Sequence, residues 1–568
     1  MFKKNLNLII LAIILAGVVL SGPLYKQFTA EKNANLVTKS GRVSNESNYQ
    51  LVDNKYVYQK DDSGVAHLYL TVLKDYDNPS VTFDYLNNAI FAKGEASPSM
   101  KIILQEGDEK GPKRGMIGYG EKESNGTLDL RGQAARRQNT KSYRIRLQNN
   151  AGLWNGQRII NLNKHSADIT RVRNKLSFDF FRIIPDMVSL RTRFVVLHVK
   201  DLSSGDSANF YQTYGLYTQV EQPNHKFLVS HGLDPNGNLY KAEMFEFFRY
   251  PDKLRNANDP KYNKAAFETV LSIRSGDNHT NLLAMLDAVN DYNQDINKVV
   301  DKYFDRNNYL TWMAANILMG NTDTQSQNFL LYSPAASGKF YFVPWDYDGA
   351  WGYTTQLGIR KSWAAEWHSG LANYWGCVLH RRFFSDPDNV KALCDKVDEL
   401  SKIINKKNTH TLLAGYYDTV SWCLARSPDL NGLPGTYQDF EKEYTRLESV
   451  PEENRRAFLK SLENPMPVYL GELASEYGKL VLNWDPSFDI QGDDLFYEIQ
   501  IASDPGFTRV IHKAQTPQIK YAFSMLPAGT YYWKVVVHDS KGHTQIAFDD
   551  FQDDSGNIYH GVKSFRVR

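Results

Sequence analysis

A chain of 568 residues is longer than one ordinary domain, so two or three domains are expected, each large enough to bury its own core. Apolar residues make up 42% of it, a globular composition, and 66 Lys and Arg against 64 Asp and Glu leave a net charge of +2. That balance, with no Lys/Arg tract interleaved with aromatics, excludes a strongly basic nucleic-acid binder, and no nucleic acid is expected as a partner. Cys377, Cys394 and Cys423 are too few for a disulfide framework and lack zinc spacing. They read either as one bridge plus a free thiol or as three reduced, buried thiols.

Lys3 and Lys4 stand ahead of an apolar run over residues 6–21, the layout of a secretory signal or an uncleaved anchor. About 16 residues at 1.5 Å each give roughly 24 Å, short of the ~30 Å hydrocarbon core but adequate with snorkelling flanks. The chain is therefore expected to be membrane-anchored or secreted, with residues 1–27 as signal or anchor and the bulk outside the cytoplasm. Residues 28–60, polar and rich in Asn, Lys and Ser, read as a linker. Beyond them HLYLTVL, SVTFDYL and MKIILQEG predict short strands of an antiparallel sheet.

In the predicted strand 141–147, Lys141, Tyr143, Ile145 and Leu147 share one face and Ser142, Arg144 and Arg146 the other. Lys141 then points with the apolar face, read as the side of a cleft where a point charge steadies nucleotide phosphates. A strand-end lysine snorkelling to solvent is the alternative. Arg131, Arg136 and Arg137, in a glycine-containing loop just ahead, add positive charge. A helix is predicted over 169–181, with Asp168 as its N-cap. Strands RFVVLHVK and YGLYTQVE lead to Glu221, read as a polar contact to nucleotide or as a salt-bridge partner at a hinge. Lys241, in NLYKAE, is a second basic candidate. Helical periodicity dominates 265–318 and stops at Gly320.

The most telling stretch is 316–352, NILMGNTDTQSQNFLLYSPAASGKFYFVPWDYDGAWG. Asp323 and Asn328 stand five apart, the spacing of the general base and the metal-binding amide in a kinase catalytic loop, HRDxxxxN. Residues 328–332 and 339–343 are apolar and β-prone around a turn, so a hairpin carries Asn328 at its entrance and Asp346 at its exit. A hard amide oxygen and a carboxylate would then hold Mg²⁺ (or Mn²⁺), with Asp348 as a further ligand, while Asp323 orients a substrate hydroxyl.

These residues resemble the core of the CotH family, spore-coat-protein-H-like atypical kinases. The N-x-D, the following Asn, the hairpin and PWDxD with a Gly close behind are all present as NTDTQSQNF and PWDYDGAWG. Upstream, LRGQAARRQNTKSYRIRL, NLNKHSADITRVRNKLSFDFF and GLYTQVEQPNHKFL resemble the family's remaining motifs, so the likeness spans roughly residues 100–400. No Lys-rich doublet precedes Tyr143, and the loop after Gly132 lacks the family's Asn-Ser pair.

The resemblance implies an α+β fold over residues 61–473, a two-lobed protein-kinase-like domain with an antiparallel β-rich N-lobe and a mainly helical C-lobe. It implies ATP as phosphate donor and a protein or glycan acceptor in the cell envelope or a surface assembly. The tail 478–568, with LVLNWD, YEIQIASD, TYYWKVVVHD and GVKSFRVR, reads as an all-β sandwich of fibronectin type III-like character that has its own core and is removable without loss of chemistry. Two other readings compete: a DxD metal-dependent glycosyltransferase built on Asp346 and Asp348, which leaves Asp323 and Asn328 unused, and a non-catalytic surface binding protein.

Overall fold

A computed structural model describes residues 49–568 apart from 61–63, 92–94, 96, 133–134 and 205–208. The N-terminal apolar run and most of the expected linker lie outside these residues; among them no helix is long and apolar enough to cross a membrane. Where the linker is described, it differs from expectation. Leu51 and Tyr58 are buried, and Asp53 reaches the His231 imidazole at 2.7 Å, so this stretch belongs to the folded body.

The first layer is a sheet that closes on itself. Strands β1 (Val65–Val72), β2 (Met100–Asp108), β3 (Gly111–Pro112), β4 (Gly126–Leu130), β5 (Tyr143–Leu147), β6 (Ile159–Asn163), β7 (Thr192–Asp201) and β8 (Gln212–Val220) run in the order β1-β7-β8-β6-β5-β4-β2-β3, with β1 also paired to β2. The β1–β7 pair is parallel and the others are antiparallel. One face of the strands fills a common core with Leu68, Ile102, Leu128, Ile145, Leu162 and Val195. Each such side chain, taken wholly out of water, stabilises the fold by roughly 2 kcal/mol. Residues 83–86, expected as the end of a strand, belong to the helix Phe83–Asn88 instead; the Thr82 hydroxyl caps it by accepting from the Tyr85 amide, and Phe83 and Leu86 enter the same core.

The opposite face of β7 and β8, with Phe194, Val196 and Leu216, packs on a larger core beginning at the helix Arg173–Ile183. That helix starts later than expected, because residues before it form a loop with positive φ at His165 and Arg171. Asp168 still braces its start, accepting from the amides of Thr170 and Arg173. A second sheet follows in the order β10-β9-β11-β12, from β9 (Asn238–Ala242), β10 (Leu271–Ser275), β11 (Phe329–Ser333) and β12 (Tyr341–Pro344). β10 lies within a stretch read as helical: its pairing with β9 overrides the local periodicity.

The helix Arg306–Met319 is buried along nearly its whole length and ends at Gly320, whose φ of 61° is the left-handed conformation that glycine adopts without strain. The helices Pro387–Leu400, Lys406–Leu424, Tyr437–Arg446 and Val450–Ser461 complete this part. All three cysteines are free thiols, Cys377 and Cys423 buried.

In the tail, β13 (Ala474–Glu476), β14 (Lys479–Asn483) and β17 (Lys520–Ser524) form one sheet; β15 (Leu495–Ala502), β16 (Val510–Thr516), β18 (Gly529–Asp539), β19 (Thr544–Ile546) and β20 (Val562–Val567) form another. Both contribute to a core around Trp484, Ile499, Trp533 and Phe523, which also takes in Val468 and Leu470, ahead of the expected boundary at 478. The tail also touches the helical body: Phe488 stacks on Trp375 and Phe548 meets Trp367 edge-on.

Candidate functional site

The hairpin forms as the sequence predicts, with Phe329 opposite Pro344 in the β11–β12 ladder, so Asn328 precedes one strand and Asp346 follows the other. Both adopt a left-handed backbone, φ 58° in each. Such a conformation is uncommon for residues other than glycine, and persists where surrounding contacts impose it.

Those contacts are visible. Along the loop 321–328, the Thr322 carbonyl accepts from Asn373, the Gln325 carbonyl from the Cys377 thiol and the Ser326 carbonyl from the Phe245 amide. The loop after β12 hangs on Tyr347, a buried ring whose hydroxyl donates to Asn316 at 2.7 Å and whose amide donates to Asn174 Oδ1 at 3.0 Å. Trp351 secures the far end, its indole donating to Ser177 and its amide to the Met319 carbonyl. The two loops meet closely, since a Cβ added at Gly349 would stand 3.7 Å from the Asp323 Cβ.

Asp323 accepts from Gln327 Nε2 at 2.6 Å and from Asn328 Nδ2 at 2.7 Å. It is open to solvent on one side, yet partial desolvation by the surrounding protein raises its pKa, which Gln327 counters and the Asp348 charge reinforces. Because Asn328 spends its NH₂ on Asp323, its amide oxygen is turned to other use. Asp346 has no hydrogen-bond partner among the described residues. Burial, and then the charge of Asp348, push it well above the usual carboxylate range against the pull of Arg131, His165 and Lys241. Asp348 faces His165 Nδ1 at 3.2 Å. Two neighbouring carboxylates and an amide oxygen with spare acceptor capacity form a hard, all-oxygen donor set that fits Mg²⁺ or Mn²⁺.

Across from the carboxylates stands a group of cations. Arg131 lies over the Trp345 ring at 5.6 Å. Burial lowers its pKa to about 10; Asp346 opposes that shift, while Arg144 and Arg274 add to it. The Nε atoms of Arg144 and Arg274 are sealed from solvent without a hydrogen-bond partner. Arg274 is also 3.8 Å from Glu243 Oε1. Three guanidiniums close enough to repel, two of them with a buried Nε unspent, could hold a polyanion. Lys241, paired with Glu243 at 2.9 Å, adds charge felt by both Asp323 and Asp346.

Two expectations are corrected. The face of β5 carrying Tyr143, Ile145 and Leu147 is the interior of the closed sheet, so sharing its phase does not aim Lys141 at the cleft. Lys141 precedes the strand, and its ammonium donates to the Arg136 carbonyl at 2.6 Å. The strand's other face carries Arg144, whose charge reaches Arg131. Glu221 is no nucleotide contact, because its carboxylate is buried and committed to Arg191 at 2.6 Å and His231 at 2.9 Å, the hinge salt-bridge alternative.

Sequence reasoning also missed His165, Arg144 and Arg274. Alternation along β5 would have found Arg144 had the buried face been assigned to the sheet interior. Arg274 was masked by a helical reading of β10, and His165 stands in a loop without periodicity. Arg173 and Asn174 are both buried. Arg173 pairs with Asp168 and Glu443, joining its helix to Tyr437–Arg446, and Asn174 holds the Tyr347 amide.

Residues 128–459, from β4 to the helix Val450–Ser461, match the family described as CotH kinase protein. The match covers more than half of the chain, which therefore belongs to the CotH family. Inner spore coat protein H of Bacillus subtilis (strain 168) is 25% identical over 228 residues, 40% of this chain and 58% of that protein, so the chain spans less than two thirds of that relative. Among solved structures, the Helicobacter pylori proinflammatory kinase CtkA is similar at 12% identity over 56% of this chain and 92% of that one, with a TM-score of 0.21. The golgi casein kinase is similar at 10% identity over 77% and 90%, with a TM-score of 0.24. Scores this low carry no weight for the fold or the site.

Proposed function

We propose that the chain is an exported CotH-like kinase that transfers the γ-phosphate of ATP to a hydroxyl of a protein or glycan acceptor in the cell envelope or a surface assembly. The observation that carries this reading is the placing of Asn328 and Asp346 at the two ends of one hairpin, with Asp323 bonded to Asn328, near the cation group of Arg131, Arg144 and Arg274, the last two with an unspent buried Nε. In it the closed sheet and the helical body act as the two lobes of a kinase-like domain, and the tail is a fibronectin type III-like sandwich that spaces or binds.

Asp323 orients the acceptor hydroxyl and takes its proton as the hydroxyl oxygen bonds to the γ-phosphorus and the bond from that phosphorus to the bridging oxygen breaks, releasing ADP. The arginines hold the phosphates and neutralise charge that spreads over them in the transition state. Asn328 and Asp346, with Asp348 beside them, would hold Mg²⁺ or Mn²⁺, which when bound supplies further neutralisation of the phosphate oxygens.

The test is incubation of the purified chain with labelled ATP and Mg²⁺ or Mn²⁺, following label into protein. Asp323→Asn and Asp346→Asn are each expected to lower transfer by ~10²-fold or more without unfolding. Asp323→Asn should still bind metal–ATP, and Asp346→Asn should bind it poorly. Full transfer in Asp323→Asn would end this reading.

A further inference from the structure

Away from the hairpin, the tail gathers three carboxylates. Asp489 and Asp493 lie in the loop between β14 and β15, Asp539 ends β18, and one oxygen from each stands within 4.8 Å of the others. This is no solvated acidic patch, since Asp489 is only 5% and Asp539 only 2% exposed. Asp489 Oδ1 accepts from the Gln491 and Asp493 amides, both at 2.9 Å. Its Oδ2 is sealed from water and has no hydrogen-bond partner among the described residues. A buried carboxylate with one oxygen lacking a donor, beside two further carboxylates, is unfavourable as an anion unless a proton or a cation neutralises it.

The protein's own cations answer only from the rim. His543 Nδ1 meets Asp539 Oδ2 at 2.7 Å, and the Lys541 ammonium, on a side chain 65% exposed, is 3.9 Å from Asp493 Oδ1. The Ser540 hydroxyl donates to that same Asp493 oxygen at 3.3 Å, and Asp539 Oδ1 accepts from the Lys541 and His543 amides. None of these reaches Asp489 Oδ2. We propose that Asp489, Asp493 and Asp539 form a structural site for a divalent cation of the Ca²⁺ type, separate from the metal of the phosphotransfer centre. The donors are hard oxygens from flexible loops, which suits Ca²⁺ better than Zn²⁺, with its nitrogen and sulfur preference, or Mg²⁺, with its rigid octahedron.

The place of the site gives it a consequence. Phe488, next to Asp489, stacks on Trp375 at 5.5 Å, its carbonyl accepts from the Met466 amide, and Gln491 Nε2 donates to the Leu462 carbonyl at 3.0 Å. These contacts join the tail to the helical body. A cation gripping Asp489 and Asp493 stiffens the loop that makes them and so fixes the tail on the body.

The test uses the full chain, stripped with EDTA and desalted, titrated with CaCl₂ in a thermal-shift assay and with Tb³⁺ by luminescence. Ca²⁺ is expected to raise Tm saturably and to displace one bound Tb³⁺, because a ligand that binds only the native state stabilises it by mass action. Asp493→Asn, half-buried and tolerant of replacement, should weaken the response by about tenfold or more, as should Asp489→Asn if that variant folds. Asp346→Asn should leave it intact. The proposal is overturned if Ca²⁺ at millimolar concentration changes neither signal, if Asp493→Asn responds as the parent does, if Asp346→Asn removes the response, or if Mg²⁺ acts as strongly as Ca²⁺.

Discussion

Replacing Asn174 by alanine tests whether the carboxylate loop is held from behind. Asn174 Oδ1 accepts from the Tyr347 amide at 3.0 Å, which leaves its NH₂ to donate to His165 Nε2 at 3.2 Å. The imidazole then carries its proton on Nδ1 and donates it to Asp348 Oδ2 at 3.2 Å. One amide side chain thus orients the backbone just after Asp346 and, through the ring, the Asp348 carboxylate.

Asn174→Ala leaves two polar groups without partners inside the protein, each costing about 1–3 kcal/mol, so a stability loss of roughly 2–6 kcal/mol is expected in urea unfolding. The left-handed backbone at Asp346 (φ 58°) then has one tether fewer and relaxes. A displacement of about 1 Å at the site is enough to lower transfer by ~10²-fold. Steady-state phosphotransfer should show a fall in kcat and a raised metal requirement, the signature of a misplaced loop rather than of lost folding alone. A variant that loses stability yet keeps kcat and its metal requirement would refute the tether, and one that loses neither would refute the accounting of the hydrogen bonds.

Gly215→Ala meets two obstacles, a φ of 79° and an Asp429 oxygen 2.1 Å from where the Cβ would stand; a loss of about 3 kcal/mol or more is expected in urea unfolding. Burial disfavours a charged His231, but Glu221 and Asp53 outweigh it and hold its pKa up at about 9. Its contribution is therefore fully present below the unfolded value of about 6.5 and is lost as pH rises through about 9, on the order of 3 kcal/mol in all. The urea midpoint should fall between pH 7 and 10, and His231→Gln should flatten that limb. Truncation at residue 478 leaves Val468 and Leu470 without their core and uncovers Trp375 and Trp367, so the shortened chain should bind a hydrophobic dye and aggregate on size exclusion, where an independent tail would have left a clean monomer.

What the sequence made legible was local. Turn chemistry at 334–338 and flanking β-prone runs placed the hairpin; the apolar pattern and Gly320 placed the end of the helix before it. Those two facts fix the neighbourhood of Asp323, Asn328 and Asp346. What stayed hidden depends on closure of the first sheet. Alternation along β5 distinguishes two faces but not which is interior, and in a closed sheet the apolar face turns inward, away from the cleft. Lys141 was therefore aimed wrongly and Arg144 passed over. Likewise β10 is a strand through its pairing with β9, a contact between distant residues that outweighs a helical local pattern.

The motif residues upstream of the hairpin divide on a single criterion, the hydrogen-bonding capacity each has left. Glu221 has its carboxylate taken by Arg191 and His231, and Asn174 spends both ends of its amide on Tyr347 and His165. Groups so committed act through the shape they impose, and replacing them perturbs folding and activity together. Among the described residues Asp346 has no hydrogen-bond partner, and the Nε of Arg144 and of Arg274 is buried and unspent. Burying polar atoms without their bonds is costly, and the fold sustains that cost where a ligand of opposite charge restores the missing bonds. The same criterion marks Asp489 in the tail, where no motif drew attention. Charge-removing substitutions at Asp346, Arg144 and Arg274 should therefore impair ligand binding more than they impair stability, the reverse of the order expected at Glu221 and Asn174.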